Sequence, residues 1–123
     1  MPMTPSPSPL HSEIGAIFIA VSDIERARDW YCQLLGLPRD GEISFGHLYC
    51  IPMKNGSNLV LDSKIFPKRT PDDAPLFHFN TADIEASYRY LEGLGVELVG
   101  PIQHGHWFTF KDPDGNLLMA AKC

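Results

Sequence analysis

The sequence predicts an α+β domain made of two tandem βαβββ modules. Two observations carry that prediction: an internal repeat, and the same order of apolar strand runs and helix-period stretches in each half. A shift of 60 residues brings Asp23-Ile24-Glu25 onto Asp83-Ile84-Glu85. A shift of 59 brings Leu35-Gly36 onto Leu94-Gly95, Gly41 onto Gly100, Gly46-His47 onto Gly105-His106, Gly56 onto Gly115 and Leu59 onto Leu118. That is one register with a single-residue deletion in the helix. The glycines recur where special backbone angles are needed. Neither half is large enough to hide its own sheet, so the halves pair into one domain.

Each element has a local reason. Residues 1–12 alternate proline with serine and threonine, cannot ladder or coil, and read as a disordered tail. The first module spans 13–63. Ile14 to Val21 is β-branched and aromatic, a buried strand. Ser22 or Asp23 caps a helix that runs to Leu35 and stops at Gly36, with Ala27, Trp30, Tyr31, Leu34 and Leu35 on one face. Arg39 to Met53 reads as two strands bent at Gly46. Lys54-Asn55-Gly56 is a turn, and Asn58 to Asp62 a further strand. Residues 64–75, with three prolines and mixed charge, form a linker. The second module, 76–123, repeats the pattern: strand Leu76 to Thr81, cap at Asp83, helix Ile84 to Leu94, strands Glu97 to Gln103 and His106 to Lys111. The Asp112-Pro113-Asp114-Gly115-Asn116 turn and a last strand, Leu117 to Ala121, close it.

Composition narrows the function. The chain has 123 residues, 44% of them apolar, and a net charge of -5 with a pI near 5.4. An acidic chain lacks the basic face that nucleic-acid binding needs. No apolar run approaches the length of a membrane span, and no secretory leader opens the sequence. Cys32, Cys50 and Cys123 are odd in number and widely spaced, which suits reduced thiols in a cytoplasm. The glycines sit singly at turns, so no phosphate-binding loop is present.

Paired βαβββ modules, an Asp-Ile-Glu helix start after each first strand, and the Phe110-Lys111-Asp112-Pro113-Asp114-Gly115-Asn116 turn resemble the vicinal oxygen chelate superfamily. That family holds glyoxalase I, extradiol dioxygenases, fosfomycin-resistance enzymes and bleomycin-resistance proteins. The resemblance covers Ile14 to Ala121. It implies that the modules curl into one incomplete, cup-shaped β-barrel with helices outside. In metal-dependent members, ligands come from the first and last strands of the modules. The matching positions here are Ala16, Val60, Leu76 and Met119. None suits magnesium, manganese or zinc; the Met119 thioether is a soft donor. The expectation is therefore no metal and no cofactor, and the Lewis-acid activities of the family are disfavoured.

Strand alternation then sorts the side chains. If Ala16 faces the cup, so do Phe18 and Ala20, while Ile17, Ile19 and Val21 face the helices. By the same parity the cup takes His78, Asn80, Trp107, Thr109, Lys111, Cys50, Asp62 and Met119. The candidate ligand contacts are Phe18, Cys50, His78, Asn80, Trp107, Thr109 and Met119: apolar walls with sparse polar handles. Phe18 and Trp107 offer stacking surfaces. His78 is a ligand contact or a general base. A Cys50–histidine nucleophile lacks any feature that would order it, and a buried cysteine usually packs. His47 and His106 occupy equivalent positions and read as structural; His104 and His106 could chelate only if a third ligand joined them.

The leading expectation is a metal-free small-molecule-binding protein of the glyoxalase/bleomycin-resistance type. Its ligand would sit in the apolar cup or in the groove of a homodimer, with sequestration or resistance as a possible role. The resemblance implies the dimer. The alternative is a glyoxalase-like lyase or isomerase, or a dioxygenase-type enzyme, using His78 or a displaced metal. A third possibility is an interaction module whose cup is filled by its own side chains.

Overall fold

The computed structural model describes residues 8–68 and 74–122. Most of the proline-rich tail, part of the linker and Cys123 lie outside the described residues. The elements are β1 (Ala16–Ala20), α1 (Ile24–Leu35), β2 (Leu48–Pro52), β3 (Asn58–Asp62), a short 3₁₀ turn (Phe66–Lys68), β4 (His78–Thr81), α2 (Ile84–Gly93), β5 (Glu97–Gln103), β6 (Trp107–Lys111) and β7 (Leu117–Lys122). They form two sheets, ordered β1-β3-β2 and β4-β7-β6-β5. In each, the first strand runs parallel to the last, and the remaining pairs are antiparallel. The sheets do not hydrogen-bond to each other, so the barrel is open and the α+β fold class stands as expected.

The repeat reaches down to the backbone. Asp23 and Asp83 cap their helices identically, accepting from the N–H of Arg26 at 3.1 Å and of Ala86 at 3.0 Å. Leu37 N–H returns to Cys32 O and Val96 N–H to Leu91 O, closing each helix through a left-handed glycine, Gly36 and Gly95. Both hairpin tips place two consecutive residues at positive φ: Phe45 and Gly46 at 54° and 75°, His104 and Gly105 at 52° and 63°. That is the backbone of a type I′ turn. Ser63 N–H bonds to His47 O, and Lys122 N–H to His106 O, 59 residues on in both partners.

The first module departs from expectation in one place. Residues 39–43 form no strand; a single bridge, Ser44 to Leu48, is all that remains of that pairing. The physical reason lies in composition. Arg39, Asp40 and Glu42 leave Ile43 as the only apolar residue, whereas β5 carries Leu98, Val99 and Ile102. The segment also packs directly on Tyr49, and a Cβ at Gly41 would lie 2.7 Å from the Tyr49 hydroxyl.

The core lies on the helix side of both sheets. Ile19, Val21, Leu59, Leu61, Phe108, Phe110 and Leu118 are sealed there with Tyr31 and Cys32 of α1. This matches the parity read from the strands. Tyr88 of α2 meets Phe108 edge-on at 5.0 Å, and Trp30 packs against Tyr31 at 4.8 Å. Among the described residues no helix is long and apolar enough to cross a membrane.

Candidate functional site

The turn between β6 and β7 ties the modules together. Asp112 is buried, and its Oδ1 accepts the N–H groups of Asp114 and Asn116 at 2.9 and 2.8 Å. Its Oδ2 accepts from the Tyr31 hydroxyl of α1 and from Asn116 Nδ2, each at 2.7 Å. Asn116 Nδ2 also reaches Ala20 O at the end of β1, 2.9 Å away. Asp114 accepts from Ser22 N–H at 3.0 Å and pairs with Arg26 at 3.1 Å. Burial first, and then the Asp112 carboxylate, push the Tyr31 phenol well above the ordinary tyrosine range. The motif is thus an architectural clamp across the modules, and it leaves the concave faces free.

Those faces are laid out in rows by the strand register. On the first sheet, Phe18, Val60 and Cys50 stand side by side. On the second, the equivalent row is His78, Met119, Thr109 and Val99; the next holds Asn80, Ala121 and Trp107. The seven sequence-derived contact residues therefore fall into three rows on two sheets. The register sets Phe18 and Cys50 on either side of Val60, His78 and Thr109 on either side of Met119, and Asn80 and Trp107 on either side of Ala121. The first-sheet group is separate from the other two. Phe18 is 57% and Val99 40% exposed, so these faces are open in a single chain.

Side-chain partners distinguish the polar candidates. Cys50 Sγ contacts Asn58 Oδ1 at 3.4 Å, and Thr109 Oγ1 donates to Val99 O at 2.9 Å. Lys111 lies 3.8 Å from Glu97, and the buried Asp62 accepts from Lys64 N–H at 2.9 Å. His78 and Asn80 make no side-chain hydrogen bond to a described residue. His47 Nδ1 bonds to Phe45 O at 3.0 Å, within its own hairpin tip. His104 occupies the matching tip of the second hairpin in a left-handed conformation.

The donor set does not fit the metal centre that the resemblance implies. Ala16 shares a row with Asn58 and Pro52, Val60 with Phe18 and Cys50, and Met119 with His78 and Thr109. Leu76 lies just before β4. Among the described residues no group of three His, Cys, Asp or Glu side chains converges closely enough to hold an ion.

Strand parity did not reveal one sizeable cavity. A cleft of 610 Å³ runs from the end of the first sheet to the unpaired edge of β4. Leu35, Leu37, Leu59, Phe77 and Phe79 give it apolar walls, and Lys54, Asn55, Asn58, His78 and Asn80 give it polar ones. Of the seven candidates only His78 and Asn80 line it. Lys54 and Asn55 read in sequence only as a turn; nothing local reports that the turn meets another module.

The model of the Glyoxalase/Bleomycin resistance protein/Dioxygenase superfamily matches residues 13–120. Biphenyl-2,3-diol 1,2-dioxygenase 2 of Rhodococcus globerulus is 30% identical over 128 residues, covering 94% of this chain and 63% of that protein. The chain thus spans less than two thirds of the dioxygenase's length. The uncharacterized protein YetH of Bacillus subtilis is 27% identical over 116 residues, covering 87% of this chain and 95% of YetH. In structure, the chain is similar to TnmS3, an antibiotic binding protein from Streptomyces sp. CB03234. The TM-score is 0.71 at 28% identity, over 91% of this chain and 96% of that one. Repeat, open sheets, turn motif and matched residues agree: the chain belongs to the glyoxalase/bleomycin resistance protein/dioxygenase superfamily.

Proposed function

We propose that this protein binds a small organic molecule and sequesters it without metal-dependent chemistry. The ligand lies against the concave rows, with Phe18, Cys50, His78, Asn80, Trp107, Thr109 and Met119 as its contacts. A second copy covers the open faces in a cytoplasmic homodimer. The observation that carries the reading is the character of those rows. They are open and mostly apolar, with few polar groups, and the family's ligand positions hold Ala16, Val60, Leu76 and Met119. Apolar walls with a few placed polar groups suit an organic ligand better than an ion. Similarity to an antibiotic binding protein supports the same choice.

The test is a thermal-shift screen of antibiotics and other aromatic natural products, with and without EDTA. A ligand that binds the folded chain raises its melting temperature by mass action. A shift that survives saturating EDTA supports the reading; a shift that EDTA abolishes overturns it.

A second reading, an isomerase, lyase or dioxygenase-type enzyme, rests on one observation. His78 stands exposed beside Met119 with no hydrogen-bond partner among the described residues, free to act as a base. Its signature is turnover that His78→Ala removes while ligand binding persists.

A further inference from the structure

We infer that the cleft between the end of the first sheet and the edge of β4 is a further binding site beside the concave rows, one that takes a flat aromatic acid. Its size is the first argument. At 610 Å³ it lies within the range that encloses a drug-sized molecule. A second cavity, beside α2, holds only 150 Å³.

Shape is the second argument. Phe77 and Phe79 meet edge-on at 5.0 Å, and both line the cleft. Together with Leu35, Leu37 and Leu59 they offer aromatic and aliphatic surface to a planar ring.

Charge is the third. The chain carries 15 acidic residues against 10 lysines and arginines, yet among the described residues no aspartate or glutamate lines the cleft. Lys54, the one formal cation among the described lining residues, is exposed and forms no ion pair with a described residue. An apolar cleft whose described lining has no acid and one unspent ammonium group selects a carboxylate, sulfonate or phenolate on an aromatic body. Asn55, Asn80 and His78 supply hydrogen-bonding groups beside it. The site adjoins the concave rows and shares His78 and Asn80 with them, but Phe18, Cys50, Trp107, Thr109 and Met119 do not line it.

The probes are two naphthalene dyes of similar shape, anionic 8-anilinonaphthalene-1-sulfonate and neutral N-phenyl-1-naphthylamine, titrated into the full chain by fluorescence. The anionic dye should bind saturably at one per chain, raise the melting temperature, and weaken as salt is added. Lys54→Glu should weaken it by about ten-fold or more and change the neutral dye by less than about two-fold. Leu37→Trp, which fills the cleft from an exposed position, should block both dyes. Thr109→Trp, on the concave face, should leave both unchanged. Absence of saturable binding, insensitivity to both Lys54→Glu and Leu37→Trp, or loss in Thr109→Trp would each overturn the assignment. The last outcome would place the dye in the concave site instead.

Discussion

Tyr31 Oη donates a 2.7 Å hydrogen bond to Asp112 Oδ2 across 81 residues of sequence, with both groups buried. The bond joins the helix of the first module to the signature turn of the second. Removing its donor leaves a buried carboxylate with one partner fewer.

Tyr31→Phe should therefore lower unfolding stability by about 1.5–3 kcal/mol, the range for a hydrogen bond to a charged group. Chemical denaturation measures it; a change under about 0.5 kcal/mol would mean that Asp112 finds a replacement. The pH dependence has a definite sign. The folded phenol is raised above the ordinary value of 10.0, so its contribution is complete below that value and fades as pH climbs toward the folded one. Wild type should lose stability above pH 10.0 more steeply than Tyr31→Phe does.

Phe45 occupies the first left-handed position of a type I′ turn at φ 54°, and it is 88% exposed. A bulky side chain is strained there, whereas Asn-Gly is the preferred pair. Phe45→Asn should stabilise the fold by about 1 kcal/mol, offset in part by the lost ring contact with His47. Destabilisation in the same denaturation experiment would show that the ring packs on something beyond this chain.

Phe18 and Val99 leave large apolar surfaces open on the concave faces of the two sheets. If a second copy covers them, sedimentation velocity should report a dimer. Phe18→Glu should shift it toward monomer, because an unpaired charge would be buried. A dimer indifferent to both Phe18→Glu and Val99→Asp would move the interface elsewhere.

His78 separates binding from chemistry. With a ligand in hand, His78→Ala should weaken affinity by roughly three- to thirty-fold if the ring supplies one hydrogen bond. Unchanged affinity with lost turnover would favour the enzyme reading.

Sequence made the fold legible because the repeat is written twice. Asp23 and Asp83 mark helix starts, Gly36 and Gly95 mark helix ends, and strand parity sends Ile19 and Phe108 inward. The same parity placed the candidate contact residues in rows, since alternation is a local property of a strand. Residues 39–43 escaped it. Glycine register suggested a strand, but three charged residues and the ring of Tyr49 beneath Gly41 decided against one.

The sequence alone determined the paired modules, the apolar residues where family metal ligands would stand, and the face each strand residue takes. These follow from spacing and residue chemistry. Tertiary packing decided what no spacing records: that Asp112 clamps Tyr31, that the concave faces lie open, and that Lys54 borders an apolar cleft against β4. Each depends on how the two modules dock. Docking is fixed by buried contacts between residues far apart in the chain, and local sequence patterns carry no term for it.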